Sequence, residues 1–189
     1  MARVHSSWMA TDLSWGAPLT EDDLAGMPDD GHRYELVDGV LLVSPSPRLA
    51  HQRCVGNLFI ALHGARQAGY EALVAPFDVR LSRITVVIPD VLVARSADLT
   101  PARLETAPVL AVEVRSPSTA LIDQGTKRLV YEAAGVPSYW MVDPDGPSLT
   151  VLHLHEGRYL VHAVVEGQEA YVATLPFPVT VVPARLLDR

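Results

Sequence analysis

The chain has 189 residues, 49% of them apolar and 20% charged, with a formal net charge of −7. That balance excludes a disordered or coiled-coil chain and a protein that coats nucleic acid or anionic lipid indiscriminately. A single cysteine, Cys54, excludes a disulfide within the chain and any multi-cysteine metal site.

Met1 to Pro18 lacks the basic start and apolar core of a signal peptide. It reads as a loosely ordered leader ahead of one domain over 19–189. No apolar run approaches the roughly 18 residues of a membrane span, so a cytoplasmic protein with no membrane partner is expected. Thr20 to Met27 reads as a short helix, with Thr20 as cap and Asp23 at capping-box spacing. Tyr34–Val37 and Val40–Val43 flank Asp38-Gly39, which predicts a tight hairpin. After Pro45 and Pro47, Arg48–Gln67 has helical spacing at Val55, Leu58, Phe59 and Leu62, and Gly69 is read as its end. Three extended runs follow, Tyr70–Ala75, Phe77–Ser82 and Thr85–Ala94, and then a polar connection from Ser96 to Pro108. Val109–Val114 has the almost unbroken apolar character of a central strand. A helix over Thr119–Ala134 is closed by Gly135. Strands at Tyr139–Val142, Leu149–Leu154, Arg158–Val165 and Val179–Val182 complete a mixed α/β pattern around one sheet.

Three charged residues stand out from this pattern. Asp90 opens the strand-like Val91-Leu92-Val93, and Glu113 interrupts Val109–Val114. A buried carboxylate is costly unless it is paired or binds a cation. Two readings stay open: Asp90 caps a strand end and Glu113 pairs with an arginine, or both converge on a hard divalent cation such as Mg²⁺ or Mn²⁺. Lys127 is the only lysine among 15 basic residues. On a helix it shares a face with Asp123 and Tyr131, while Leu121, Ile122, Leu129 and Ala133 form an apolar stripe facing elsewhere. It is either a solvated ion pair or an ammonium that guanidinium cannot replace.

Glu35 in Tyr-Glu-Leu-Val-Asp-Gly, His51, Pro89-Asp90-Val91, and Glu113-Val114-Arg115-Ser116-Pro117-Ser118-Thr119 occur in a characteristic order. Asp123, Lys127 and Tyr131 follow, and then Gly135-Val136-Pro137-Ser138-Tyr139-Trp140-Met141-Val142-Asp143-Pro144. This succession resembles the Uma family of putative restriction endonucleases, within the PD-(D/E)XK nucleases. The resemblance implies a restriction-endonuclease-like core, a central mixed sheet flanked by helices, here with extra C-terminal antiparallel hairpins. It implies Mg²⁺ or Mn²⁺ held by Asp90, Glu113 and the backbone carbonyl of Val114, with Asp90, Glu113 and Lys127 catalytic. Glu35, His51, Arg115, Asp123 and Tyr131 are accessory candidates. Arg115 stands where simpler relatives carry the catalytic lysine, and Lys127 on the helix takes that place.

The activity implied is metal-dependent hydrolysis of DNA phosphodiester bonds, by a protein paired with itself. The alternative is a catalytically inactive nuclease fold that binds DNA or a protein. A third reading, a transition-metal hydrolase, uses the alternating His153 and His155. From Arg48 to Arg128 there are ten bases against seven acids, so the segment holding the candidate site is not the acidic part of the chain.

Overall fold

A computed structural model describes residues 17–44, 46–116 and 123–189, the side chains of 123 and 124 excepted. The short helix α1 (Glu21–Ala25) starts where the capping box stands, the Thr20 N–H and hydroxyl donating to Asp23 Oδ2 at 2.8 and 2.9 Å. Strands β1 (Arg33–Val37) and β2 (Val40–Ser44) form the expected hairpin. Its turn has Asp38 at φ 50° and Gly39 at φ 79°, the left-handed pair that Asp-Gly accommodates. A side chain at 39 would also strike Pro18.

Helix α2 (Leu49–Ala65) buries His51, Cys54, Leu58 and Leu62, one stripe at spacings of three and four. It ends before Gly69, which sits at φ 85° in the turn leading to β3 (Tyr70–Val74). Strand β4 (Asp78–Ser82) follows as expected. The run 85–94, read as one strand, is two: β5 (Thr85–Val87) and β6 (Val91–Arg95), in different sheets. Pro89 has no N–H for a ladder, and the Ile88 N–H donates instead to Glu35 Oε1 at 2.7 Å, so the chain changes layer there. The connection to β8 contains a 3₁₀ turn (Ser96–Asp98) and the two-residue β7 (Arg103–Leu104).

Strands β8 (Leu110–Val114), β9 (Ser138–Asp143), β10 (Ser148–His155) and β11 (Arg158–Glu166) complete a six-stranded mixed sheet, ordered β11-β10-β9-β8-β6-β3. A five-stranded sheet, β2-β1-β5-β4-β7, lies over it, and β12 (Tyr171–Ala173) with β13 (Val179–Val181) forms a C-terminal hairpin. β8 is central as expected, parallel to β9 and antiparallel to β6. Alternation along β6 divides the core. Val91 and Val93 pack with Cys54, Leu58 and Leu62 of α2. Leu92 and Ala94 pack with Val37, Val79 and Val87 of the second sheet. The fold class expected for the nuclease resemblance is the one observed, with a second sheet supplying much of one flanking layer.

The helix read over Thr119–Ala134 differs most. Residues 117–122 lie outside the described residues, among them Pro117, Ser118, Thr119, Leu121 and Ile122. From Asp123 to Lys127 the backbone makes a wide π-type turn, and α3 (Arg128–Ala133) continues from it. Lys127, Val130 and Tyr131 are buried, whereas Leu129 is 61% exposed. The expected orientation is thus reversed: the apolar Leu129–Ala133 side faces solvent and the lysine faces the sheet. A π turn holds more residues than an α turn, so a phase counted at 3.6 across it slips.

Candidate functional site

Extending the β6–β8 register, in which Val91 faces Val112, sets Asp90 across from Glu113. Glu113 faces the layer between the two sheets, while Asp90, just before β6, is reached both by Arg33 of β1 and by His51 of α2. Tyr131 of that layer donates its hydroxyl to Glu113 Oε1 at 2.8 Å. Strand β1 brings Glu35 from the opposing sheet. The π turn delivers Lys127, whose Nζ is 3.0 Å from Glu35 Oε1 and 3.1 Å from Glu113 Oε1. The four side chains are almost wholly buried: Glu35 is 1%, Asp90 3%, Glu113 4% and Lys127 4% exposed. The solvated-pair reading of Lys127 is therefore set aside. Its ammonium bridges carboxylates from two sheets.

Asp90 has its own partners. Oδ2 accepts the Val114 N–H at 2.9 Å and lies 3.1 Å from His51 Nε2, while Oδ1 accepts from Arg33 Nη1 at 3.0 Å. Burial pushes this carboxyl up. The His51 contact, the Arg33 charge and the Val114 N–H outweigh burial and hold it below the usual aspartate value. An ionised carboxylate only accepts, so His51 Nε2 carries the proton. Its Nδ1 is buried without a protein partner among the described residues. The Tyr131 hydroxyl is pushed well above its ordinary value by burial, then by the charges of Glu113 and Glu35, and stays a donor.

Glu35, His51, Asp90, Glu113, Lys127 and Tyr131 therefore come together from β1, α2, the start of β6, β8, the π turn and α3. Arg115 does not join them. It is half-exposed and donates to Asp143 Oδ2 at 2.6 Å, beside a 170 Å³ pocket that Glu113 also lines. The Asp123 side chain lies outside the described residues. Arg33 is the residue that sequence reasoning missed. Its signal was its place two residues before Glu35 on β1, hence on the same face. The His153–His155 reading finds no third ligand among the described residues. His153 stacks on His162 with ring centroids 4.1 Å apart, burial then the His162 charge lower its pKa, and His155 is exposed.

The donor set suits a hard divalent cation. Three buried carboxylates, Glu35, Asp90 and Glu113, supply the oxygen donors, with Lys127, Arg33 and His51 as their counter-groups. Among the described residues no three His, Cys, Asp or Glu side chains form a ready-made cage. Mg²⁺ does not need one, since it binds through one or two carboxylates and keeps its waters.

No helix among the described residues is long and apolar enough to cross a membrane. No match is found among curated proteins. A crystal structure described as a putative nuclease belonging to DUF820, from Anabaena variabilis ATCC 29413, superposes with a TM-score of 0.68. The match covers 84% of this chain and 90% of that one at 17% identity, which establishes a shared fold. The family model Uma2, described as putative restriction endonuclease, matches residues 22–185. The chain belongs to the Uma2 family of putative restriction endonucleases, as the order of its motifs and the convergence of Glu35, Asp90, Glu113 and Lys127 lead one to expect.

Proposed function

We propose that this protein is an endodeoxyribonuclease that hydrolyses DNA phosphodiester bonds with Mg²⁺ or Mn²⁺ at Asp90 and Glu113. The observation that carries this reading is the buried lysine between two carboxylates, beside a third on the neighbouring strand. Such a cluster costs much desolvation and returns little stability, so chemistry is its better explanation. Asp90, Glu113 and the Val114 carbonyl would hold the cation, which would supply Lewis-acid polarisation of the phosphate and a more acidic water.

The other roles belong to the chain's own residues. Lys127 places a compact ammonium where negative charge grows during phosphoryl transfer, and Glu35 and Glu113 fix its position. Tyr131 holds Glu113 by its hydroxyl, and His51 and the Val114 N–H hold Asp90. Arg115, already charged and half-exposed, serves as a phosphate anchor at the rim. Asp123 remains an accessory candidate.

Cutting both strands favours two copies working together. The edge strand β11 supports this with exposed Leu160, Val161 and Val164. Pairing antiparallel to itself about His162 would set Arg158 against Glu166 and Leu160 against Val164. The work on DNA is assigned to the cytoplasm.

Calorimetric titration of Mn²⁺ and a plasmid-nicking assay test the reading. Wild type should bind Mn²⁺ and nick; Asp90→Asn should lose both, and Lys127→Met should lose nicking. Absence of Mn²⁺ binding by the wild type overturns the enzyme and leaves the inactive, DNA- or protein-binding module as the reading.

A further inference from the structure

Asp90 leaves an incoming cation little room. Both oxygens are engaged, and their partners differ in how readily they can leave. On Oδ2 the Val114 N–H belongs to a central strand, and His51 sits in α2 with its side chain only 8% exposed. On Oδ1 stands Arg33, the first residue of β1, its side chain 25% exposed. Arg33 lies on the wall of a 250 Å³ cleft that Ser44, Ser46, His51, Gln52 and Asp90 also line. A long side chain at a strand end, with an open cleft beside it, can change partner without moving the backbone. Lys127 cannot do the same, being 6% exposed and held by Glu35 and Glu113.

We propose that Arg33 is an exchangeable counter-ion of Asp90. It neutralises the carboxylate before the metal arrives, competes with the divalent cation for Oδ1, and passes to a backbone phosphate of the nucleic acid once the cation has taken Asp90. The planar guanidinium fork matches a carboxylate and a phosphate equally well, which suits it to the exchange. Like charges on one oxygen repel, so cation and guanidinium exclude each other there. A phosphate in the cleft draws Arg33 away and opens Oδ1, and a cation on Oδ1 frees Arg33 for the phosphate. Each ligand therefore strengthens the other, and the coupling is reciprocal. This inference rests on the nuclease reading above and adds to it an order: the cleft senses metal and phosphate together.

The test is calorimetric titration of Mn²⁺ into wild type, Arg33→Gln and Arg33→Lys, each alone and with a short phosphorothioate duplex, which keeps the backbone charge and resists hydrolysis. Without DNA, Arg33→Gln should bind Mn²⁺ about tenfold more tightly, the order of one charge-assisted hydrogen bond removed from competition. The duplex should tighten Mn²⁺ binding to wild type and should do so much less for Arg33→Gln. Arg33→Lys keeps the charge and serves where Arg33→Gln fails to fold. Its single-point ammonium should release Oδ1 more easily while restoring part of the coupling to DNA. Mn²⁺ bound equally by wild type and both variants overturns the inference and leaves the nuclease reading standing. Tighter Mn²⁺ binding with undiminished coupling to DNA overturns the transfer to phosphate. Absence of Mn²⁺ binding in all three proteins overturns the nuclease reading and the inference with it.

Discussion

The molecule contains two clusters built from similar groups. At one, Glu21 accepts from Arg80 Nε and Nη2 at 2.7 and 2.8 Å and from Arg103 Nη1 at 3.0 Å, with Glu105 beside both arginines. At the other, Lys127 lies between Glu35 and Glu113 at distances as short. The side chains of the first are 18–42% exposed and those of the second 2–6%. Exposed pairs cost little to form and stabilise little. Buried ones take charges out of water, and apolar groups of the same volume would often serve stability as well or better. The exposed cluster pins α1 to β4 and β7. The buried one bridges the two sheets through Lys127, a task that apolar packing could also perform, which fits the proposal of prepared electrostatics.

Removing Lys127 should separate the two clusters most sharply. Lys127→Met leaves Glu35 and Glu113 buried without their shared cation, so stability should fall by about 3–5 kcal/mol in urea melts. Plasmid nicking should fall by about 100-fold or more. Replacing all three together, with Lys127→Met, Glu35→Gln and Glu113→Gln, should restore much of the stability and none of the activity. A Lys127→Met protein as stable as wild type would mean that the burial argument is wrong.

How far the cluster was legible depended on which physical signal carried each residue. Asp90 and Glu113 showed because a carboxylate at the mouth of, or inside, a nearly unbroken apolar run is out of place, and those runs are buried strands in the structure. Lys127 showed through composition, as one lysine among 15 bases, and through its place in the succession of motifs. Its orientation was read backwards because the π turn at Asp123–Lys127 resets the helical phase, and no local composition marks such a turn. Arg33 was missed because its importance lies in a contact 57 residues away in sequence, which periodicity cannot express. The split of 85–94 has the same origin. Pro89 marks a break, but that β5 and β6 lie in different sheets depends on Glu35 capturing the Ile88 N–H across the layers. The hairpin at Asp38-Gly39 and helix α2 were legible throughout, being set by turn chemistry and local apolar spacing.

Tyr131 probes the interior of the buried cluster at a smaller scale. Tyr131→Phe keeps the ring packed against Tyr139 and removes only the 2.8 Å bond to Glu113. Bonds to a buried charge are worth about 1.5–3 kcal/mol, which should appear as lost stability in the same urea melts. Nicking should fall less than in Lys127→Met, because Lys127 still holds Glu113. Equal loss in the two variants would mean that the hydroxyl itself meets the substrate.

The smallest effect is expected at the exposed cluster, where Glu21→Gln should leave nicking unchanged. The Arg80 hydrogen bond, opposed by partial burial and helped by the Arg80 charge and by Arg103, holds the Glu21 carboxyl below its ordinary value. A group whose value is lowered on folding adds stability above its unfolded pKa and loses it as pH falls through the folded one. Wild type should therefore exceed Glu21→Gln slightly at neutral pH. In acid below the carboxylate range the two should melt together. Added salt should narrow the neutral-pH gap as well, because these side chains are screened. The buried cluster should feel salt far less. A salt-insensitive Glu21→Gln difference would show that the arginine pair around Glu21 is shielded from solvent, and would erase the contrast between the two clusters.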